Sequence, residues 1–217
     1  MDTITALSPQ QKNPQRVSVY INAQFAFGLA AIVAARLKVG QAIGAEEVAR
    51  LRALDEAEEA YNKSLGFLSY RPRSRAELER YLKDKGVSEG ARAQVLERLA
   101  RLELVNDRSF AQYWVENRET FGPRGKRALR QELRQKGVSD EQVQEAIGSV
   151  DEPHSAYEAG QKRAMRMASL DREIFYRRLS GFLQRRGFGY EVVKTTVARL
   201  WGEYGATNAP EPDEREG

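Results

Sequence analysis

Lys126, Arg130 and Arg134 stand four residues apart in the stretch GKRALRQELRQKG, with Leu129 and Leu133 between them. Side chains at i and i+4 share a helix face, so this spacing predicts a basic stripe beside an apolar one. Arg118, Arg124, Arg127 and Lys136 add to it, and only Glu119 and Glu132 oppose them in sequence. The following residues continue the pattern with Lys162, Arg163, Arg166, Arg172, Arg177, Arg178, Arg185, Arg186, Lys194 and Arg199, and Lys162 and Arg166 again share a face. Arginine carries a planar fork of donors suited to phosphate and carboxylate oxygens. Long runs of one charge cost self-repulsion that mixed charges avoid. The chemistry implied is binding of an extended polyanion, either nucleic acid or an acidic groove. Solvated helix surface is the alternative reading of the same residues. The contact candidates are Arg124, Lys126, Arg127, Arg130, Arg134, Lys136, Lys162, Arg166, Arg177, Arg178, Arg185 and Arg186, with Lys126, Arg127, Arg130 and Arg134 the first choice.

Other chemistry finds little support. His154 is the only histidine, and its place after Glu152-Pro153 reads as a helix start. There is no cysteine, which excludes disulfides, thiolate metal sites and a cysteine nucleophile. No P-loop and no G-x-S-x-G elbow occurs. The carboxylates lie among Lys and Arg on predicted helices, and no pair is marked as an acid/base dyad. The aromatics near the basic stripes, among them Trp114, Phe175, Phe182 and Trp201, recur at helical spacing and read as core before base-stacking platforms. The expectation is a protein without enzymatic activity, cofactor or metal.

The stripes sit on repeated elements. In residues 71–87, RPRSRAELERYLKDKGV, Ser74 and Glu77 form a capping-box pattern, Leu78 and Leu82 an apolar face, and Gly86-Val87 a helix stop. The pattern returns at Leu129, Leu133, Gly137 and Val138, and again at Leu179, Leu183, Gly187 and Phe188, with the glycines 51 and then 50 residues apart. The following helix repeats too: Leu96 and Leu99 match Ile147 and Val150, then Val197 and Leu200. Ser139 and Gln142 read as another capping box. With upstream helices near 54–70, 107–120 and 155–169, each unit is three helices in about fifty residues. Units this small bury little core alone, so stacking into an elongated curved array is expected.

The first fifty residues differ. Val17, Val19 and Ile21 alternate with polar positions, and Phe25 and Phe27 follow Asn22-Ala23-Gln24, which predicts a β-hairpin. A short strand at 4–7, a polar loop at 10–15, a helix at 29–38 and another beginning near Ala45 complete this segment. The expected organisation is an N-terminal β-hairpin with helices at 1–50, three-helix repeats at 51–105, 106–153 and 154–205, and a disordered acidic tail at 206–217. The class is mostly α. Charged residues make up 30% of the 217, the net charge is +4, and the most apolar run, FAFGLAAIVAARLKV, is too short and too charged to span a bilayer. With no signal-peptide pattern at the N-terminus, the expected location is the cytoplasm.

Three stretches together resemble the RecX family, regulators of the RecA recombinase in bacteria: AYNKSLGFLSYRPRSRAELERYLKDKG at 60–86, NDRSFAQYWVENR at 106–118 and GPRGKRALRQELRQKG at 122–137. The resemblance covers about 51–204, and the preceding segment looks like the β-containing extension of longer members. It implies tandem three-helix repeats that bind in the groove of the RecA filament on single-stranded DNA. It further implies inhibition of recombinase, ATPase and co-protease activities, the last of which triggers the SOS response, with basic residues as contacts and no catalytic residues. Double-stranded DNA is a further candidate partner, a membrane is not, and a monomer is expected. The third unit departs from the pattern at Ile174-Phe175-Tyr176, where the others carry Arg-rich turns. A helical nucleic-acid-binding module that works without RecA is the alternative.

Overall fold

The computed structural model describes residues 2–205, so the acidic tail at 206–217 lies outside the described residues. The chain divides into two compact units, one ending at Asn106 and the other beginning at Asp107.

The first unit opens with four antiparallel strands, β1 (Asp2–Gln10), β2 (Asn13–Ile21), β3 (Gln24–Ala30) and β4 (Ala42–Ile43), in the order β3-β2-β1-β4. The hairpin at Asn22-Ala23 is present, with both residues at positive φ, 49° and 63°. Asn-Gly would suit these angles better, but the turn is stapled to β1. Asn22 Oδ1 accepts from Thr3 N–H at 3.1 Å, and Thr5 Oγ1 accepts from Ala23 N–H at 2.9 Å. Two expectations are corrected here. The polar loop at 10–15 is only a tight turn, and Pro14 lies within β2. The pairing jumps from Pro9↔Val17 to Gln10↔Asn13, so Pro14 falls in a bulge where its missing N–H costs nothing. The helix at 29–38 is mostly absent. Leu29 and Ala30 pair with Val17 and Arg16, Ala30 N–H is accepted by Asp55 Oδ1 at 2.6 Å, and only α1 (Ala31–Ala34) is helical. Strand pairing here overrides helix propensity.

The helices expected from about Ala45 and from about Leu54 are one, α2 (Ala45–Leu68), because neither Gly nor Pro interrupts the chain between them. Its first half, through Val48, Leu51 and Leu54, closes the sheet core around Ile4, Val19 and Leu29. Its second half, through Ala57, Ala60 and Tyr61, closes the core of the first repeat with α3 (Arg75–Asp84) and α4 (Glu89–Arg101). Arg16 ties strand to helix by ion pairs to Asp55 at 2.8 Å and to Glu59.

The second unit holds α5 (Asp107–Phe121), α6 (Lys126–Gln135) and α7 (Asp140–Gly148), then α8 (Glu152–Met165), α9 (Arg172–Arg185) and α10 (Tyr190–Tyr204). Each triplet has its own core, one around Phe110, Leu129 and Leu133, the other around Phe175, Leu179 and Leu183. Every apolar residue aligned across the three repeats is buried.

The repeat punctuation is equally regular. Gly86, Gly137 and Gly187 have φ of 76°, 80° and 85°. After each, the same two bonds close a Schellman motif: Gly N–H to the carbonyl of Lys83, Arg134 or Gln184, and the next residue's N–H to that of Leu82, Leu133 or Leu183. Ser74 and Glu77 make the full reciprocal capping box. Ser139 makes half of one: it accepts from Gln142 N–H, but the Gln142 side chain bonds the Ser139 hydroxyl and not its backbone.

Candidate polyanion interface

The basic stripe of α6 exists, and its helix face is turned toward α7. Lys126 Nζ lies 3.5 Å from Gly148 O, Arg130 Nη2 3.5 Å from Gln144 Oε1, and Arg134 Nε 2.6 Å from Asp140 Oδ1. The partners 140, 144 and 148 also recur every four residues, so two antiparallel helices present matching ladders. Asp140 holds the Arg134 guanidinium above its ordinary pKa, and Arg134 with Arg130 holds the Asp140 carboxyl below its own. Both partners are more than half exposed, so the pair adds little stability and remains open to competition. Arg127, between the ladder positions, is exposed and among the described residues makes no ion pair.

Glu132, on the same helix, is a hub. It accepts from Trp114 Nε1 and from Arg118 Nε, both at 2.8 Å, and lies 3.7 Å from Arg124 Nε. Lys136 stands 4.1 Å above the Trp114 ring. One acid thus organises three neighbours and leaves excess positive charge around it.

The last repeat is less neutralised. Lys162 and Arg166, near the end of α8, and Arg177, Arg178 and Arg185 along α9 are exposed; among the described residues none of them makes an ion pair, and the only one in this repeat joins Arg199 to Glu203. The first repeat is the opposite: Arg71 pairs with Glu77, Arg92 with Glu79 and Arg98 with Glu58.

Arg186, the C-cap of α9, is half-buried. Its Nη1 donates to Pro123 O at 3.1 Å, and its own carbonyl accepts from Gly125 N–H at 3.0 Å. These bonds join the second and third repeats at a backbone contact so close that a Cβ on Gly125 would sit 2.2 Å from Gly187 O. Burial, and then the charges of Arg124 and Arg163, push the Arg186 guanidinium below its ordinary pKa. Arg163 and Arg186 both stand over the Phe182 ring, at 4.8 and 4.7 Å from its centroid. The structure therefore gathers Arg124 and Arg186 with Arg163, which was not among the contact candidates. Arg163 has no place in the four-residue ladders, and no sequence signal joins 124, 163 and 186.

Elsewhere the features are structural. His154 occupies the first turn of α8, where its backbone N–H is capped by Asp151 Oδ1 at 3.1 Å. An apolar recess in the first unit is lined by Ile32, Val33, Leu54, Ala57 and Val95, with Arg36, Glu58, Gln94 and Arg98 beside them. No described helix is long and apolar enough to cross a membrane.

Comparison with known proteins decides the family. Four family profiles match in order along the chain: the regulatory protein RecX N-terminal domain at 2–44, and the first, second and third RecX three-helix domains at 60–99, 106–147 and 151–197. The chain belongs to the RecX family. Regulatory protein RecX of Bacillus subtilis is 31% identical over 205 residues, which cover 92% of this chain and 78% of that protein. Regulatory protein RecX of Amycolatopsis mediterranei is 38% identical over 156 residues, 69% of this chain and 89% of that one. A crystal structure of regulatory protein RecX matches the fold with a TM-score of 0.74 at 23% identity, covering 90% of this chain and 98% of that chain. RecX proteins are a regulatory family, and the tandem three-helix domains and the small N-terminal sheet are its architecture.

Proposed function

We propose that this chain regulates the RecA recombinase by binding its filament on single-stranded DNA, and that it lowers recombinase, ATPase and co-protease activity without chemistry of its own. Its place would be in the cytoplasm, in recombinational DNA repair and in damping the SOS response. The observation that carries this reading is the match of all four RecX domains in order along one chain. The charge distribution supports it: Arg71, Arg92 and Arg98 of the first repeat are ion-paired, whereas among the described residues the third repeat has only the Arg199–Glu203 pair. A regulator of this kind needs only differential affinity for the states of its target. The contacts would come from the basic residues of the second unit, with Arg127, Arg177, Arg178 and Arg185 now ahead of Arg134, whose guanidinium is engaged by Asp140.

DNA-stimulated ATP hydrolysis by RecA, measured with sub-stoichiometric amounts of this chain, tests the proposal. Hydrolysis should fall at concentrations too low to coat the DNA. An unchanged rate would contradict it. The open cations favour one further reading, a helical module that binds nucleic acid without RecA; that module would coat DNA in proportion to its concentration and would show no sub-stoichiometric effect.

A further inference from the structure

Arg124, Arg163 and Arg186 come from a loop, from α8 and from the end of α9, and they converge where the second repeat meets the third. The convergence is built from backbone. Gly125 N–H donates to Arg186 O, Arg186 Nη1 donates to Pro123 O, and the Gly125–Gly187 contact leaves no room for a side chain between them. Two guanidiniums share the Phe182 ring, each within 5 Å of its centroid. Among the described residues neither Arg163 nor Arg186 has an ion-pair partner. Two carboxylates of the second and third repeats are committed, Glu132 to Trp114, Arg118 and Arg124, and Glu152 to the Lys126 amide at 3.0 Å. The Phe182 face holds two of the guanidiniums in place, and an anion set among the three would be attracted by all of them.

We propose that Arg124, Arg163 and Arg186 form a site for one phosphodiester of a nucleic-acid strand, held at the seam between the second and third repeats. A tetrahedral phosphate presents oxygens in several directions and can serve guanidinium forks that arrive from different elements. A carboxylate offers two oxygens in one plane. The residue preceding each of two members, Lys162 and Arg185, is exposed and has no ion pair among the described residues, so a strand leaving the site continues onto further cations, as an extended polyanion requires. Burial lowers the pKa of Arg186 first and the charges of Arg124 and Arg163 lower it further; an anion would offset that second, repulsive part. The inference rests on the reading that the second unit binds a polyanion, and it assigns one polyanion, DNA, to one place.

The test uses the full chain and a fluorescein-labelled oligo(dT), read by anisotropy across a salt series. Arg163→Gln is the main variant, because among the described residues Arg163 is exposed and makes no hydrogen bond or ion pair, only its contact with the Phe182 ring. It should weaken binding about tenfold and lower the slope of log K against log[salt] by about 0.7, the loss of one phosphate contact on a single strand. Arg199→Gln, which removes a guanidinium occupied by Glu203 and Tyr157, should leave both unchanged. An abasic oligonucleotide should show the same Arg163→Gln effect, because the site reads phosphate. Unchanged affinity and slope in Arg163→Gln would overturn the site, and so would an effect that vanishes on the abasic backbone, which would mean base stacking on Phe182. RecA-filament binding is measured separately. A chain that loses oligonucleotide affinity on Arg163→Gln but never binds the filament keeps the phosphate site and loses the regulator reading; the reverse pattern loses only the site.

Discussion

Gly125 and Gly187 matter for different reasons. Gly187 supplies the left-handed turn that ends α9 and also leaves room for Ala128, while Gly125 supplies absence of bulk alone. Gly125→Ala forces a Cβ to 2.2 Å from a carbonyl oxygen that two helices hold in place, so the second unit should lose about 1–3 kcal/mol of stability, as overpacking generally costs. Gly66→Ala is the contrast: Gly66 lies inside α2 with nothing near its missing Cβ, and thermal melts should show a gain of about 0.5–1 kcal/mol. Glu56 makes a pH-dependent contribution. Its carboxylate accepts from both the hydroxyl and the backbone N–H of Ser88 at 2.7 Å, and these bonds lower its pKa. A depressed folded pKa means stability that is present above the unfolded value and is lost as pH falls through the folded one. Between pH 6 and pH 3 the urea midpoint of the natural chain should therefore fall further than that of Glu56→Gln; parallel curves would remove Glu56 from the account. The aligned leucines of the repeats were legible in the sequence because periodicity marks them one by one. The Arg124–Arg163–Arg186 cluster was not, because its members are far apart in sequence and meet only where the second and third repeats pack.

Among the elements, the helix stops carry the repeat. Three use glycine at positive φ, but α4 ends in the same Schellman bonding with Glu103 at φ 55°, and Leu104 N–H reaches Leu99 O at 2.9 Å. A β-carbon in the left-handed region costs about 1 kcal/mol, so Glu103→Gly should raise the stability of the first unit by up to that amount in denaturant melts. Ser74→Ala removes the acceptor of the capping box that starts α3, with an expected loss of about 0.5–2 kcal/mol. Helix boundaries set by caps and glycines in the repeats were readable because these are local signals, but the upstream helices expected near 54–70 and 155–169 are Ala45–Leu68 and Glu152–Met165. Those of the first forty residues were not. Leu29 and Ala30 have the composition of a helix, yet β2 and the Asp55 carboxylate hold them as a strand. The two-residue β4 has no period to detect, and the continuity of α2 is marked only by the lack of any breaker.

At the scale of the whole molecule, the four domains of the RecX family follow one another along the chain, and open positive charge accumulates toward the last of them. The stripe of α6 was correctly placed on one face by its spacing, but the ladder on α7 that meets it depends on how two helices pack, which no single helix encodes. The proposed role therefore shifts its weight toward the third repeat and the seam before it. The most direct measurement compares binding of the chain to RecA filaments assembled on single-stranded DNA with binding to the same DNA free of RecA, at one salt concentration. The account predicts tighter binding to the filament, reduced in both cases by Arg163→Gln. Equal or weaker affinity for the filament would contradict it and leave a nucleic-acid-binding module in its place.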